Sequence, residues 1–213
     1  MDLYFSPLAC SLATRISLYE AGADAGFIEV DPKTKRIMSD GSDYTKVYPL
    51  GMVPAIRMDD GALLTENAAI LQYVAERFPA ANLAPPGGIE RARLQQWLCF
   101  IGTELHKALF IPLFDKKAPE ATIASTLAKG ESRLAYLNDH LKGREFLLDG
   151  FTVADAYLYT VLNWSMATPV KFDRFSAIQA YYTRLQKRPS IAKAFREELA
   201  LYKAETARHK AAA

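Results

Sequence analysis

Cys10 is the first residue of this chain whose type and position could carry chemistry. It follows a short β-prone run and stands where a helix is predicted to begin. Backbone N–H groups and the helix dipole favour negative charge at such a position, so a thiol there is expected to have a lowered pKa and to be a better nucleophile. The structural alternative is a small core residue, because a single cysteine is usually buried and inert.

Val53-Pro54 precedes a predicted strand and is a second candidate. Proline at the start of a strand withholds its own N–H donor. If the peptide bond is cis, Val53 can turn both its N–H and its C=O outward and pair with an extended peptide, as an added strand does. Most X–Pro bonds are trans, so trans is the default and only the context favours cis.

Glu66-Asn67 lies where a strand becomes a helix. The open helix N-terminus can hold a carboxylate, and the Glu66 side chain can hold an ammonium group beside it. The zwitterionic end of an amino acid needs such a pair. The structural alternative makes Asn67 an N-cap and Glu66 an acid in the first turn.

His106 lies on a long predicted helix, beside the apolar face that Leu98, Ile101 and Leu105 define. A lone helical histidine is usually a packed or solvated residue, and His140 and His209 are expected at the surface. Three scattered histidines and two distant cysteines give no metal-ligand spacing. The sequence therefore predicts no metal site.

Bulk properties exclude several classes of function. The chain has 213 residues, of which 26 are basic and 24 acidic, for a net charge of +2. That balance gives no general attraction to nucleic acid or to an anionic membrane, so neither is expected as a partner. Two cysteines make no disulfide framework, the start lacks a secretory signal, and no unbroken apolar run reaches the ~18 residues of a membrane span. These features predict a reducing, cytoplasmic location.

The first 80 residues predict an α/β domain. The order is β-α-β, then a loop, then β-β-α, with an Asp60-Gly61 turn between the last two strands. The first half needs a crossover and so contains a parallel pair, whereas the second half is an antiparallel hairpin with a helix. By fold-level analogy this is a thioredoxin-like arrangement. The predicted strands are 3–5, 27–30, 53–58 and 62–64, and the predicted helices are 10–21 and 67–78.

Prolines and glycines cluster in residues 79–88, and everything beyond reads as helix. The sequence thus predicts three parts: a thioredoxin-like domain at 1–80, a linker at 81–88, and an all-helical domain at 89–213. Further helices are predicted near 120–141, 153–167, 175–187 and 191–203, with a frayed tail after them. Thr152 and Asp155 form a predicted capping box, with Asp in place of the usual Glu.

Taken in order, these segments resemble the bacterial beta-class glutathione transferases. The segments are Tyr4-Phe5-Ser6-Pro7-Leu8-Ala9-Cys10-Ser11-Leu12, Pro49-x-Gly51-x-Val53-Pro54-Ala55, Leu64-Thr65-Glu66-x-Ala68, Glu90-Arg91-Ala92-Arg93-Leu94-Gln95, Trp97-Leu98-x-Phe100-Ile101-Gly102-x-Glu104-Leu105-His106-Lys107 and Phe151-Thr152-Val153-Ala154-Asp155-Ala156. The resemblance implies a thioredoxin-like domain, an all-helical domain, a homodimer and a role in detoxification. It also implies glutathione as co-substrate and a small electrophile as the second substrate.

The resemblance further implies roles for individual residues. Cys10 would lie against the glutathione sulfur and form a mixed disulfide with it, and His106 would face the same sulfur with Thr103 and Lys107 nearby. The glycyl end of glutathione would reach Lys35, the cysteinyl unit would pair with the backbone of Val53 ahead of Pro54, and the γ-glutamyl end would bind Glu66 and Asn67.

Two positions depart from the family pattern. Position 67 is usually a small hydroxyl residue or glycine, and position 99 is usually asparagine, whereas this chain has Asn67 and Cys99. An amide still donates a hydrogen bond but is bulkier, and a thiol is a weak donor. These changes bear on the affinity for glutathione rather than on the mode of binding.

Three kinds of function remain open from the sequence. The first is a transferase in which the glutathione thiolate attacks an electrophilic carbon. The second is a glutathione-dependent thiol–disulfide oxidoreductase or peroxidase with Cys10 as its redox centre, acting through one thiol because position 13 is Ala13. The third is a non-catalytic protein that reuses the fold, and a dehalogenase or isomerase is also compatible with the scaffold.

Overall fold

The computed structural model describes Met1–Ala211 and contains two compact units. Unit 1 comprises Met1–Leu83 together with the segment that begins at Pro189, and unit 2 comprises Ala84–Arg188. The predicted helical domain ran to residue 213, whereas the final helix belongs with the N-terminal unit. The reason is that this helix packs on the first helix of unit 1. The functional division into domains stays a prediction.

Unit 1 is built on a four-stranded sheet of order β2-β1-β3-β4. Strands β1 and β2 are parallel, and the pairs β1–β3 and β3–β4 are antiparallel. This confirms the predicted thioredoxin-like arrangement of a parallel pair and a hairpin. The strands are β1 Asp2–Phe5, β2 Gly26–Glu29, β3 Ala55–Arg57 and β4 Leu63–Thr65.

Three helices belong to unit 1: α1 at Leu12–Glu20, α2 at Asn67–Arg77 and α8 at Pro189–Ala211. Helices α1 and α2 pack on one side of the sheet, and α8 packs on α1. This packing stabilises the unit by removing apolar surface from water. Helix α1 begins two residues later than predicted, so Cys10 lies in the turn that precedes the helix. The buried core on that side contains Leu3, Phe5, Leu18, Ile56, Ile70 and Val74.

The C-terminal segment is helical through Ala211, so the predicted fraying after residue 203 is wrong within the described residues. Arg208 donates to Glu29 at 2.9 Å, and His209 Nε2 lies 2.7 Å from a carboxylate oxygen of Asp31. The His209 side chain is only 15% exposed, which corrects its predicted surface position. These two tertiary contacts, one to the last residue of β2 and one just beyond it, order the end of the helix and cannot be recognised from local composition.

Unit 2 is helical, as predicted. A continuous run of helix contains α3, a ten-residue π-helical segment and α4; α5, α6 and α7 follow. The apolar residues at helical spacing along the first run, including Leu94, Leu98, Ile101 and Leu105, are fully or almost fully buried. The bounds are α3 Gly88–Phe100, the π-helical segment Ile101–Phe110, α4 Ile111–Phe114, α5 Glu120–Leu141, α6 Val153–Asn163 and α7 Ser176–Leu185.

The run Gly88–Phe114 is long and apolar enough, by length and composition, to cross a bilayer. The sequence prediction considered only unbroken apolar runs and therefore did not identify this helical run as long enough to span a bilayer. Its apolar stripe packs in the core of unit 2, and Glu104 on it pairs with Arg133 of α5 at 2.7 Å. Core packing therefore accounts for the apolar character of this run.

The predicted capping box at the start of α6 is confirmed. Asp155 is fully buried and accepts hydrogen bonds from the backbone N–H of Thr152 at 2.8 Å, the N–H of Leu147 at 2.9 Å and the Tyr181 hydroxyl at 2.8 Å. Burial raises the pKa of Asp155, and these hydrogen bonds oppose that rise. The carboxyl group thus joins α6, α7 and the loop that precedes α6.

Asp155→Ala should destabilise the protein by about 3 kcal/mol, because it removes the cap and leaves buried donors on Leu147, Thr152 and Tyr181 without their acceptor. The measurement is the free energy of unfolding in urea. Asp149→Ala, which removes an exposed carboxylate from the same loop, should leave the unfolding midpoint unchanged. A loss for Asp155→Ala no larger than that of an isolated helix cap, about 1 kcal/mol, would show that the wider network is unimportant.

Candidate active site

Unit 1 brings the predicted residues Cys10, Val53, Pro54 and Asn67 together. The Cys10 thiol donates to the carbonyl oxygen of Val53 at 3.2 Å, and Asn67 Nδ2 donates to the carbonyl oxygen of Cys10 at 3.2 Å. Cys10 is half-buried and forms no disulfide. The turn before α1, the segment before β3 and the start of α2 therefore meet at the thiol.

The Val53–Pro54 peptide bond is cis, as the context favoured and against the default for X–Pro bonds. Strand β3 begins only at Ala55, so Val53 lies just ahead of the sheet. Its carbonyl oxygen faces the Cys10 thiol. The Val53 backbone can pair with an extended peptide, and the Cys10 thiol lies one hydrogen bond away from it.

Glu66 and Asn67 have different environments at the start of α2. Glu66 is exposed, occupies the N-cap position with φ +67° and does not cap the helix with its side chain. Asn67 is buried, and its Oδ1 accepts from the Thr14 hydroxyl at 3.1 Å. The alternative of Asn67 as N-cap is therefore wrong, because its side chain ties α2 to α1 and to Cys10. The binding of a γ-glutamyl end by Glu66 and Asn67 stays a prediction.

Lys35 lies on the loop after β2, with φ +56°, and its side chain runs along Gly51. A Cβ at Gly51 would stand 3.2 Å from Lys35 Cδ, so the glycine leaves room for this side chain. Asp31 organises the same loop. Burial acts to raise its pKa, but hydrogen bonds from nearby backbone N–H groups and from His209 outweigh burial and lower the pKa to about 2.

Left-handed backbone conformations concentrate in these loops. Leu8, Lys35 and Glu66 are three of the four non-glycine residues with positive φ in the described chain, the fourth being Asn82. Such conformations cost about 1–3 kcal/mol each and persist where surrounding structure enforces them, often at functional sites. Their placement favours a functional role for these loops.

His106 lies in unit 2, on the π-helical segment, and is 6% exposed. Its Nδ1 lies 2.7 Å from the Tyr157 hydroxyl, and its ring packs edge-on against Trp164 with centroids 4.8 Å apart. Burial, assisted by the charge of Lys107, lowers the pKa of His106 to about 4. The imidazole is therefore neutral at physiological pH. π-Helical segments occur frequently at functional sites.

Thr103, Lys107 and Cys99 are exposed on the same helical run. The Thr103 hydroxyl donates to the carbonyl oxygen of Cys99 at 3.0 Å, one turn earlier. The Cys99 thiol is exposed at the surface of unit 2. The contacts of Cys99, Thr103 and Lys107 with glutathione stay predictions.

Comparison with known proteins identifies the family. Residues 9–77 match the profile of the glutathione S-transferase N-terminal domain, and residues 97–189 match that of the C-terminal domain. Glutathione S-transferase GstA of Escherichia coli O157:H7 is 42% identical over 200 residues, which cover 93% of this chain and 98% of that protein.

Two solved structures are also similar to this chain over most of its length. A sphingomonad glutathione S-transferase complexed with glutathione is 40% identical, with a TM-score of 0.88 over 93% of this chain and 98% of that one. The beta-class enzyme of Sphingomonas chungbukensis is 38% identical, with a TM-score of 0.87 over the same shares of 93% and 98%. The chain belongs to the bacterial beta class of the glutathione S-transferases.

The sequence did not identify Tyr157 and Trp164 as residues of this transferase's candidate site. Both lie in the segment predicted as one helix, and their contacts to His106 span more than fifty positions of the chain, including 51 for Tyr157. One signal was available: a buried tyrosine in an apolar helix needs a partner for its hydroxyl group. Across Met1–Ala211, no group of three His, Cys, Asp or Glu side chains in the transferase is arranged to hold a metal ion.

We expect the His106 ring to titrate near pH 4, well below the ordinary value of about 6.5. Because the folded-state pKa is lowered, the unfolded chain takes up this proton first, and the contribution of His106 to stability falls as the pH drops from about 6.5 to about 4. The measurement is the pH dependence of the histidine ring-proton shifts by NMR, with His106→Gln assigning the signal. A midpoint at or above about 6.5 would show that the ring is solvated.

Proposed function

We propose that this glutathione transferase joins the thiolate of glutathione to small, largely apolar electrophiles. The observation that carries the proposal is the 3.2 Å hydrogen bond from Cys10 to Val53. A tripeptide laid along unit 1 would pair its cysteinyl backbone with Val53, ahead of cis-Pro54, and so place its sulfur beside Cys10. The relative complexed with glutathione, which shares 40% of its sequence with this chain, supports the same ligand.

The charged ends of glutathione have complementary groups in unit 1. Glu66 is exposed, and no side chain caps α2 at this point, so the helix N-terminus can bind the γ-glutamyl carboxylate while Glu66 binds the ammonium group. Asn67 contributes from the first turn through its backbone, since its side chain already holds Cys10 and Thr14. The cation of Lys35 suits the glycyl carboxylate.

His106 acts on the glutathione sulfur as a neutral imidazole. Its Nδ1 is engaged with Tyr157, so Nε2 is the ring nitrogen that can donate to or accept from a thiol or thiolate. Stabilising the thiolate lowers the barrier to attack on an electrophilic carbon. We propose that Thr103, Lys107 and Cys99, which are exposed on the same helical run, also contact glutathione.

A second activity is favoured by the position of the Cys10 thiol, which is half-buried and forms no disulfide. In glutathione-dependent thiol–disulfide exchange, the Cys10 thiolate attacks the glutathione sulfur of a mixed disulfide, a Cys10–glutathione disulfide forms and the other thiolate leaves. A second glutathione thiolate then attacks that disulfide, releases glutathione disulfide and restores the Cys10 thiolate. The residue at position 13 is the buried Ala13, so the exchange would proceed through a single protein thiol.

The assembly and location follow the family resemblance. We propose a homodimer in the cytoplasm with a role in detoxification, acting on a small electrophile and without nucleic acid or membrane as a partner. The near balance of 26 basic and 24 acidic residues supports the last part. Sedimentation of the purified protein tests the dimer.

Cys10→Ala separates the two activities. Conjugation of glutathione to an activated aryl halide should largely survive, because Cys10 assists rather than supplies the nucleophile. Reduction of a glutathione mixed disulfide should vanish, because the thiol proposed to attack it is gone. Both are measured as kcat and KM, and Cys99→Ala, which removes the exposed thiol instead, should retain disulfide reduction, with any loss confined to KM for glutathione.

Absence of turnover across a panel of electrophiles, in protein shown to bind glutathione, would reject the transferase role. Loss of conjugation in Cys10→Ala with native glutathione binding would make Cys10 the reacting group.

A further inference from the structure

Glu198 of α8 reaches the loop that carries Cys10 from a point 190 positions away in the sequence. Its Oε2 accepts a hydrogen bond from the backbone N–H of Leu8 at 2.7 Å. Leu8 lies just before Cys10 and is held at φ +59°, a conformation that leucine rarely adopts. The side chain of Glu198 has no exposed surface. A buried carboxyl group thus holds a strained backbone position two residues before the candidate thiol.

The Glu198 carboxyl group is itself fixed in place. Its Oε1 lies 3.5 Å from Arg15 Nη1, and the Arg15 guanidinium stands between the rings of Phe5 and Phe27, at 4.3 and 4.2 Å from their centroids. Burial raises the pKa of Glu198 to about 8, against the opposing effects of Arg15 and the Leu8 N–H. At neutral pH the carboxyl group is therefore mostly uncharged, and in either charge state one of its oxygens can accept from the Leu8 N–H. We therefore explain Glu198 as a group that fixes geometry rather than as half of a stabilising ion pair.

Other hydrogen bonds link the Leu8 region to the thiol. Ala9 N–H donates to the Ser6 carbonyl at 3.1 Å, and the Cys10 carbonyl accepts from Asn67 at 3.2 Å. A change of backbone conformation at Leu8 would shift the chain between these two anchors. The 3.2 Å contact from the Cys10 thiol to Val53 depends on that short stretch keeping its path.

We propose that Glu198 is a positioning residue that sets the place of the Cys10 thiol through the backbone of Leu8. It touches no substrate and acts only through the loop. The inference rests on the proposed role of Cys10 beside the glutathione sulfur. It adds the C-terminal helix to the parts of unit 1 that shape this site.

Three variants test the proposal. Glu198→Leu removes the acceptor at similar volume, whereas Glu198→Gln retains an oxygen that can accept from Leu8. Glu197→Ala is the matched control, because the neighbouring carboxylate also ties α8 to α1, through the Tyr19 hydroxyl at 2.5 Å, but has no hydrogen bond to the loop among the described contacts. Near-ultraviolet circular dichroism selects variants with native packing.

The first readout is alkylation by iodoacetamide, followed by mass spectrometry of the separate tryptic peptides that contain Cys10 and Cys99. Glu198→Leu should speed labelling of Cys10 by about fivefold or more, because local opening releases the loop, while Cys99 labels at an unchanged rate. Glu198→Gln and Glu197→Ala should label Cys10 at close to the wild-type rate. The second readout is the kinetics of disulfide reduction, in which Glu198→Leu should lower kcat/KM by about fivefold or more, because that activity needs a correctly placed Cys10 thiol.

Unchanged Cys10 labelling in Glu198→Leu, or an equal change in Glu197→Ala, would overturn the proposal. Faster labelling with an unchanged rate of disulfide reduction would support the positioning role and reject the proposed redox function of Cys10. If Glu198→Leu does not fold, amide hydrogen exchange of the wild-type protein tests whether the Leu8 N–H is held in a stable hydrogen bond. Leu8 N–H should exchange about 100-fold or more slowly than in an unfolded chain, and exchange at the unfolded rate would overturn the proposal.

Discussion

The candidate site depends on the hydrogen bond between the Cys10 thiol and the Val53 carbonyl oxygen, 3.2 Å long. The sheet makes this contact possible. Strands β1 and β3 pair antiparallel with Tyr4 opposite Ala55, so the end of β1 lies beside the start of β3. The turn after β1 therefore delivers a thiol to the backbone that precedes β3, and any ligand that pairs with that backbone has the thiol beside it.

Desolvation sets the chemistry of His106. Its ring is almost fully buried between Tyr157 and Trp164, and burial keeps it neutral by lowering its pKa to about 4. A neutral ring with one nitrogen engaged is a directional hydrogen-bond partner rather than a source of charge. The thiolate stabilisation proposed for this transferase therefore relies on a positioned dipole and excluded water, which are more effective in a low-dielectric site than in bulk water.

Local patterns predicted much of this fold. Alternation and turn residues identified the four strands and the Asp60-Gly61 turn, and apolar periodicity identified the helices, with the predicted 120–141 coinciding with α5 at Glu120–Leu141. The capping box was visible because Thr152 and Asp155 are three residues apart. The family resemblance then supplied the candidate residues, and four of those in unit 1 lie together. Each of these signals is contained within a few turns of chain or in a matched motif.

The features that the sequence did not predict all depend on contacts between distant segments. The return of α8 to unit 1 depends on its packing against α1 and on contacts such as that of His209 with Asp31, whose members lie 178 positions apart. The end of α8 has a composition typical of a frayed tail, and only the tertiary contacts order it. The role of Asn67 as a buried link to Cys10 and the contact of Tyr157 with His106 likewise need the folded chain.

A crystal structure of the protein with glutathione tests the central claim most directly. We predict that the cysteinyl backbone of glutathione pairs with Val53 and that its sulfur lies in contact with Cys10 Sγ. Glutathione bound with its sulfur directed away from Cys10, or bound away from the segment before β3, would contradict the claim.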